Sequence, residues 1–470
     1  MRDLAFIAFL IALFGFGFRR PFVFVLTYVY IDIVSPQRLT YLLLNSVPIS
    51  LIAVIAAVGA WAMFDDKRDT RLAPRQFLLL LMLIYCAITT RSADFPVDAM
   101  GKWDWVWKAL AFAIFLPLTL RTKLRIEALL LFMVLSAGSI VIVGGIKTLA
   151  SGGGYGELNL MVSNNSGLYE GSIISTVAVC IVPLVLWFAT YGTIFKPDWK
   201  VKIFCYALAF ACLLIPVGTS ARTGLVCIGL LAALMLRNAK RRLMYLALVA
   251  VVPIVSLPFL PESFLERMQT IQNHQSDTSA STRVAVWKWT IDYAKTHPFG
   301  GGFEAYRQNH LRFETVKVVG SGNNITVVRT PEEDSARAYH SSYFEMLGEQ
   351  GYPGLALWLI INIAGVFRME VLRQRYRKAS ADEAWVTPLA SALQNAHIVY
   401  LLGAAFVGIA FQPFIYMLIG AQIGLDTYLA RRRSEAVWQP FRKGQRAAQS
   451  PAHSPAHSPA LPIATGQPAR

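Results

Sequence analysis

Charge is scarce in this chain. Of its 470 residues only 15% are Asp, Glu, Lys or Arg, while 55% are hydrophobic, and the mean hydropathy is +0.47. A soluble domain carries about a quarter charged residues, so an ordinary soluble globular class is excluded. The alternating ten-residue pattern of a membrane barrel is also missing. Cys86, Cys180, Cys205, Cys212 and Cys227 all fall in apolar runs, with no CxxC or Cys/His spacing. They read as small buried residues and imply neither a disulfide nor a zinc site. No A-x-A cleavage site follows the opening Met1-Arg2-Asp3, so no cleavable signal is expected. No nucleic-acid-binding motif accompanies the net charge of +16, which excludes nucleic acid as the partner.

What is present is a succession of apolar runs, at 4–17, 21–34, 42–64, 76–91, 105–120, 126–147, 170–191, 202–219, 223–236, 243–260, 344–367, 392–411 and 413–429. Backbone groups in lipid must be satisfied within each segment, so these runs predict helices. The expected fold is an all-α polytopic integral membrane protein with about 12–13 transmembrane helices. Basic clusters lie at Arg19-Arg20, 65–75, 121–125, 196–202, 237–242, 373–378 and after Arg431. Each is two spans from the next, which puts them all on the cytoplasmic face. The opposite face receives the long segment 261–339 as one long periplasmic loop. The C-terminus is expected inside, and the N-terminus outside if 4–17 spans.

Much of the positive charge follows from this bias. Residues 430–470 hold seven Lys/Arg and one acid, whereas 261–339 hold nine of each sign. The tail "QSPAHSPAHSPALP", with His453 and His457, cannot build a core and is expected to be disordered. The domain reading is an N-terminal transmembrane region 1–200, a transmembrane core 201–429 that includes the loop, and the cytoplasmic tail 430–470.

The long loop contains the more specific signals. "STRVAVWKWTIDYAKTHP" (281–298) reads as a helix with Val284, Trp287, Ile291 and Ala294 on one face, stopped at His297-Pro298. Trp287, Trp289 and Tyr293 suit a membrane–water interface. "GGGF" (300–303) imposes a tight backbone. Then "FETVKVV" and "ITVVRT" flank "GSGNN" (320–324), which predicts a hairpin. His340 closes the loop just before an apolar helix.

Polar chemistry meets the membrane boundary at few places on this face. Arg222 and Ser220 lie in "PVGTSARTGLV", Arg283 begins the loop helix, and His340 opens "HSSYFEMLGEQGYPG". Glu345 and Glu349, four apart, share a helix face. Lys102 and Lys108 in "KWDWVWK" sit on the same side, where snorkelling competes with a supporting role. Two arginines and a histidine suit an anionic, phosphate-bearing ligand, because guanidinium grips phosphate oxygens bidentately and imidazole supplies a base or a donor. No carboxylate cluster stands out for a divalent metal, and "EED" (332–334) reads as solvated charge.

Three segments carry a resemblance to the O-antigen ligase and polymerase superfamily of membrane glycosyltransferases. They are "SART" (220–223), "RVAVWKWTIDYAKTHPFGGGFEAY" (283–306) and "HSSYFEMLGEQGYPG" (340–354). The first 200 residues, with "YVYIDIVSPQRL" (28–39), resemble O-glycosylation ligases associated with exosortase systems. The resemblance implies a GT-C-like, inverting, metal-independent enzyme of the bacterial inner membrane with its site facing the periplasm. It implies a glycan donor on undecaprenyl diphosphate and a lipid or protein acceptor, within membrane lipids and without a cofactor. Arg222 and Arg283 would bind the diphosphate, His340 would activate or position the acceptor hydroxyl, and Glu349 would orient a neighbouring cation. Lys102, Lys108, Ser220 and Trp287 are candidates for support. A polymerase would need the same donor site. A flippase or transporter would need charge within the spans and internal repeats, which the sequence does not display.

Overall fold

A computed structural model describes residues 2–40, 43–44, 47–68, 70, 72–152, 167–237, 278–319 and 326–437. The protein is an all-α membrane protein with one small hairpin. In chain order the helices are α1 (Arg2–Arg19), α2 (Phe22–Val34), a short α3 (Pro36–Leu39), α4 (Ile49–Phe64), α5 (Pro74–Arg91), α6 (Pro96–Thr119), α7 (Lys123–Ser151), α8 (Gly171–Tyr191), α9 (Trp199–Gly218) and α10 (Arg222–Leu236). Then follow α11 (Thr278–Thr296), α12 (Ser342–Arg375), α13 (Val386–Ala404) and α14 (Pro413–Val437). Each apolar run expected on described residues contains a helix, although α4 begins only at Ile49 and α13 already ends at Ala404, and the run at 243–260 lies outside them. By length and composition α7, α8, α9 and α12 can each cross a membrane, and α2, α4 and α10 are shorter apolar helices.

Local chemistry sets the starts. Thr122 accepts from Arg125 N at 3.2 Å, Glu170 from Ile173 N at 2.7 Å and Asp198 from Val201 N at 2.8 Å. These caps satisfy orphan amides at the first turns of α7, α8 and α9. Proline opens α5 and α6, where its missing N–H costs nothing. Helix α8 is buried along most of its length and packs against α7, α9, α10 and α13. Small residues let helices approach: Gly403 of α13 sits on Thr176 of α8, and Gly420 and Gly424 of α14 sit on Leu116 and Leu120 at the end of α6. Such contacts replace the hydrophobic driving force that lipid cannot supply.

The hairpin expected around "GSGNN" is present. Strand β1 (His310–Val319) pairs antiparallel with β2 (Thr326–Ser335), Phe313 opposite Glu332 and Val318 opposite Val327. The turn itself lies outside the described residues. Buried Asn309 clamps the base, donating to Arg337 O at 2.7 Å and accepting from Arg337 N at 2.9 Å.

Helix α11 stops at Thr296, as His297-Pro298 predicts, and of the face shared by Val284, Trp287, Ile291 and Ala294 only Ala294 is buried. Val284 and Ile291 are exposed, while Thr282, Val286, Thr290, Tyr293 and Ala294 are buried. Hydroxyls can face inward here because they find partners: Thr290 Oγ1 donates to Val286 O at 2.8 Å, and Tyr293 donates to Asp94.

Helix α12 is broken at Gly351, whose φ of 64° and ψ of −167° interrupt two helical pieces two residues before Pro353. The break frees carbonyls, and the "GGGF" loop takes them. Gly301 N donates to Gly348 O at 3.0 Å, Gly302 N to Glu349 O at 2.9 Å, and Tyr352 N to Pro298 O at 2.9 Å. The Tyr85 hydroxyl reaches Gln350 O at 2.9 Å and Phe299 O at 3.0 Å. Gly300, with φ of 85°, and Gly351 face each other so closely that a Cβ on either would strike the other's backbone neighbourhood. Irregular backbone beside spans is tolerated when protein groups satisfy it in this way.

Candidate functional site

His340 precedes α12 with a left-handed φ of 48°, a conformation that costs a non-glycine residue about 1 kcal/mol or more. It is open to solvent, yet its surroundings hold its pKa below the usual imidazole value. Partial burial is the first cause, and the charges of Arg283 and Arg337 add to it. Arg283 comes from α11. Arg337 comes from the clamped base of the hairpin, where it also pairs with Asp334 at 2.5 Å. Trp287 braces this corner: its indole N–H donates to Tyr339 O at 2.9 Å, and its ring stacks on Phe344 at 4.9 Å. Two guanidinium charges acting on an imidazole, and disfavouring its protonated form, make an arrangement that can meet an anion and accept a proton.

Arg222 is the first residue of α10, half-buried. Ser220, buried with φ of 51°, makes the turn from α9, and neighbouring Thr219 bonds Ser175 of α8 at 2.8 Å. Cys227 lies against Val399 O of α13 and Tyr343 donates to Leu401 O, so the starts of α10 and α12 share one end of the bundle. The charges of Arg283 and Arg337 act on His340.

A second cluster lies deeper. Lys102 Nζ is 2.7 Å from Glu345 Oε1 and 2.8 Å from both oxygens of Glu349, with side-chain exposures of 9%, 9% and 0%. The faces of Phe303 and Phe411 stand 5.5 and 6.0 Å from the ammonium. Glu349 also accepts from Glu304 N at 3.1 Å, and Glu345 from Ala410 N at 3.2 Å. This corrects the snorkelling alternative for Lys102. Two carboxylates on one apolar helix face must be neutralised, and Lys102 is drawn inward to do it. It is the cation that pairs with Glu349. Lys108 is mostly shielded and pairs instead with exposed Asp104 at 2.9 Å.

Lys102, Glu304, Glu345, Phe411, Lys108 and Asp104 border a cavity of about 650 Å³. Asp32, Gln37 and Arg38 from α2 and α3 line one side, Lys102, Trp105 and Lys108 from α6 another, and Glu304, Glu345 and Phe411 the rest. The loop before α14 is held in place by Ser342, which donates to Val407 O and accepts from Ile409 N, both at 2.8 Å. Tyr400 and Trp358 donate to Ile409 O and Ala410 O. Among the described residues no group of three or more His, Cys, Asp or Glu is arranged to hold a metal ion.

The structure thus brings Arg283, His340 and Trp287 together, and joins Glu349 to Lys102. Arg337, Glu304, Asp32 and Arg38 were not singled out from sequence. The local signal for Arg337 was its position three residues before His340; Glu304 directly follows the "GGGF" loop.

Residues 1–193 match a family of unknown function (DUF5935), and residues 207–359 match the family described as O-Antigen ligase. No curated protein matches the chain. The second match contains Arg222, Arg283, His340, Glu345 and Glu349, whereas Lys102 and much of the cavity wall fall within the first. Residues 207–359, which hold the arginines, the histidine and both glutamates of the Lys102 cluster, thus form an O-antigen ligase domain within this membrane protein.

Proposed function

We propose that the protein transfers a glycan from undecaprenyl diphosphate to an acceptor hydroxyl on a lipid or protein, at the periplasmic face of a bacterial inner membrane. The observation that carries this reading is that the charges of Arg283 and Arg337 act on His340 inside an O-antigen ligase domain. In the reaction the acceptor oxygen forms a bond to the anomeric carbon with inversion. The bond from that carbon to the phosphate oxygen breaks, and the diphosphate leaves with the electron pair. Its developing charge needs fixed cations, which Arg222 and Arg283 supply. The acceptor proton passes to the imidazole of His340. Glu349 and Lys102 act as support by fixing the first turns of α12 behind that ring. The same sites would serve chain extension on the carrier, so the product decides between the two.

The test uses purified protein in nanodiscs with undecaprenyl-diphosphate oligosaccharide, offered lipid and polypeptide acceptors and followed by mass spectrometry. An acceptor heavier by the whole glycan is expected. Growth of the glycan on its own carrier would make the protein a polymerase, and carrier movement across the bilayer without a new covalent product would make it a transporter. Transfer should also survive EDTA, because arginines neutralise the diphosphate. Loss that magnesium or manganese restores would overturn that assignment and direct attention to Glu332, Glu333 and Asp334.

A further inference from the structure

We propose that a groove between α7, α8 and α9 binds an anionic phospholipid of the leaflet opposite the His340 corner, with one acyl chain in the groove and the headgroup phosphate on lysines at its mouth. The groove has a volume of about 350 Å³, within the usual range for small-molecule sites, roughly 300–1,000 Å³. Leu131, Leu135, Phe188, Phe195, Phe204 and Leu208 form much of its wall, and Lys200 is the one charged residue among its described lining. Helix α9 ends at Gly218, beside the start of α10, so its first turns lie at the far end of the bundle from His340. From Trp199 to Leu208 the helix rises about 14 Å at 1.5 Å per residue, roughly half of the ~30 Å hydrocarbon thickness. The groove therefore has the depth of one leaflet, which is the reach of a single acyl chain. Beside it α9 exposes Ile203, Tyr206 and Phe210, an outer surface suited to lipid tails, through which a chain can enter from the bilayer.

The mouth defines the head. Lys196, Lys200 and Lys202 are all exposed, and none forms an ion pair among the described residues. The one carboxylate among them, Asp198, caps α9 by accepting from Val201 N at 2.8 Å. Trp199, 68% exposed, suits the membrane–water interface, and the Lys200 ammonium stands 5.6 Å from its ring. Three cations against one engaged carboxylate at the rim of an apolar slot complement a lipid whose head is negative, since a basic residue near an anionic surface contributes about 1 kcal/mol. The slot is also built in advance. Buried Glu127 of α7 accepts from Ile194 N at 2.7 Å and from both the amide and the hydroxyl of Thr193. These bonds pin the α8–α9 loop to α7, and with it the Phe195 wall and the start of the lysine row. The orientation expected from the basic clusters makes this the cytoplasmic leaflet, and the site itself does not depend on that orientation or on the transferase reading.

The probes are phosphatidylglycerol and phosphatidylethanolamine, each with a photoreactive diazirine in one acyl chain, in nanodiscs that hold the full chain. Labelled peptides are read by mass spectrometry. Phosphatidylglycerol should label 131–135 and 201–208 well above the exposed face of α5 at Phe77, Leu81 and Ile84, and well above phosphatidylethanolamine at the same groove residues. Lys196→Gln, Lys200→Gln and Lys202→Gln combined should lower groove labelling by phosphatidylglycerol about tenfold or more and leave the α5 signal unchanged. Leu135→Trp fills the groove from its lipid side, where Leu135 is 38% exposed, and should remove the groove signal of both lipids. Equal groove labelling by the two lipids, a groove signal no higher than that of α5, or an undiminished preference in the Gln variant would overturn the proposal. So would an unlabelled groove in the parent, the result expected if a second copy of the chain sits there.

Discussion

The ammonium of Lys102 lies 2.8 Å from both oxygens of Glu349, a fully buried carboxylate 247 residues further along the chain. Removing the cation alone leaves that carboxylate uncompensated. Lys102→Met should therefore destabilise the protein by about 3–5 kcal/mol, read as a lowered thermal unfolding midpoint in nanodiscs. Adding Glu349→Gln should recover part of the loss, because only Glu345 then remains buried without its cation. A double variant as unstable as the sum of the two singles would show that the pair is not coupled.

The proposed roles of Arg222, Arg283 and His340 separate kinetically. Arg222→Lys and Arg283→Lys keep the charge but lose the planar fork, so donor binding should weaken about tenfold or more, on the scale of charge-assisted hydrogen bonds. His340→Ala should leave donor binding in place and cut single-turnover transfer by about 100-fold or more if the ring is the base. Poor donor binding with normal transfer at saturation would make His340 a phosphate ligand.

A base works in its neutral form, and partial burial, Arg283 and Arg337 all disfavour the protonated ring. The acid limb of the rate profile should therefore lie below the ordinary imidazole value of ~6.5, with turnover constant above it and falling as pH drops through it. Arg337→Gln removes one repelling charge and should move that limb upward. An unmoved limb would assign it to another group.

Gly351→Ala tests the break in α12. In a regular helix the change would stabilise by about 1 kcal/mol. Here φ is positive and the new methyl would collide with Pro298 O, so the unfolding midpoint should fall by the equivalent of about 2 kcal/mol or more.

The orientation is tested by single-cysteine labelling in a cysteine-free background. Lys295→Cys, on exposed α11, should react with an impermeant thiol reagent in cells with a permeabilised outer membrane, and Arg377→Cys, after α12, should not. The reverse pattern would invert the topology and remove the argument for a periplasmic site.

The helices and the hairpin were legible because each rests on local signals: apolar runs of spanning length, caps, His297-Pro298, and β-branched runs around a Gly/Asn turn. Arg283 and His340 were legible because polar groups are rare at this boundary. The partner of Glu349 was not, since a lysine among tryptophans at the start of α6 reads locally as an interfacial residue, and only packing across more than 240 residues draws it inward. The buried face of α11 was not legible for a related reason. Apolar spacing marks Val284 and Ile291, but Asp94 and the α12 start reward the face that carries Thr290 and Tyr293.

The bonds from Tyr85 to Phe299 and Gln350 span 214 and 265 residues, and this sets a timetable for biogenesis. At about 5–20 residues per second, Tyr85 is synthesised roughly 10–50 s before the backbone it holds. For that interval α5 and α6 have neither the "GGGF" loop nor the broken helix to pack against, and Lys102 has no carboxylate. The N-terminal half must wait in the bilayer with these packing surfaces unfilled until residue 350 has been translated. Closure of the loop onto the helix break is thus a late assembly step, and it completes the cavity wall and the His340 corner together.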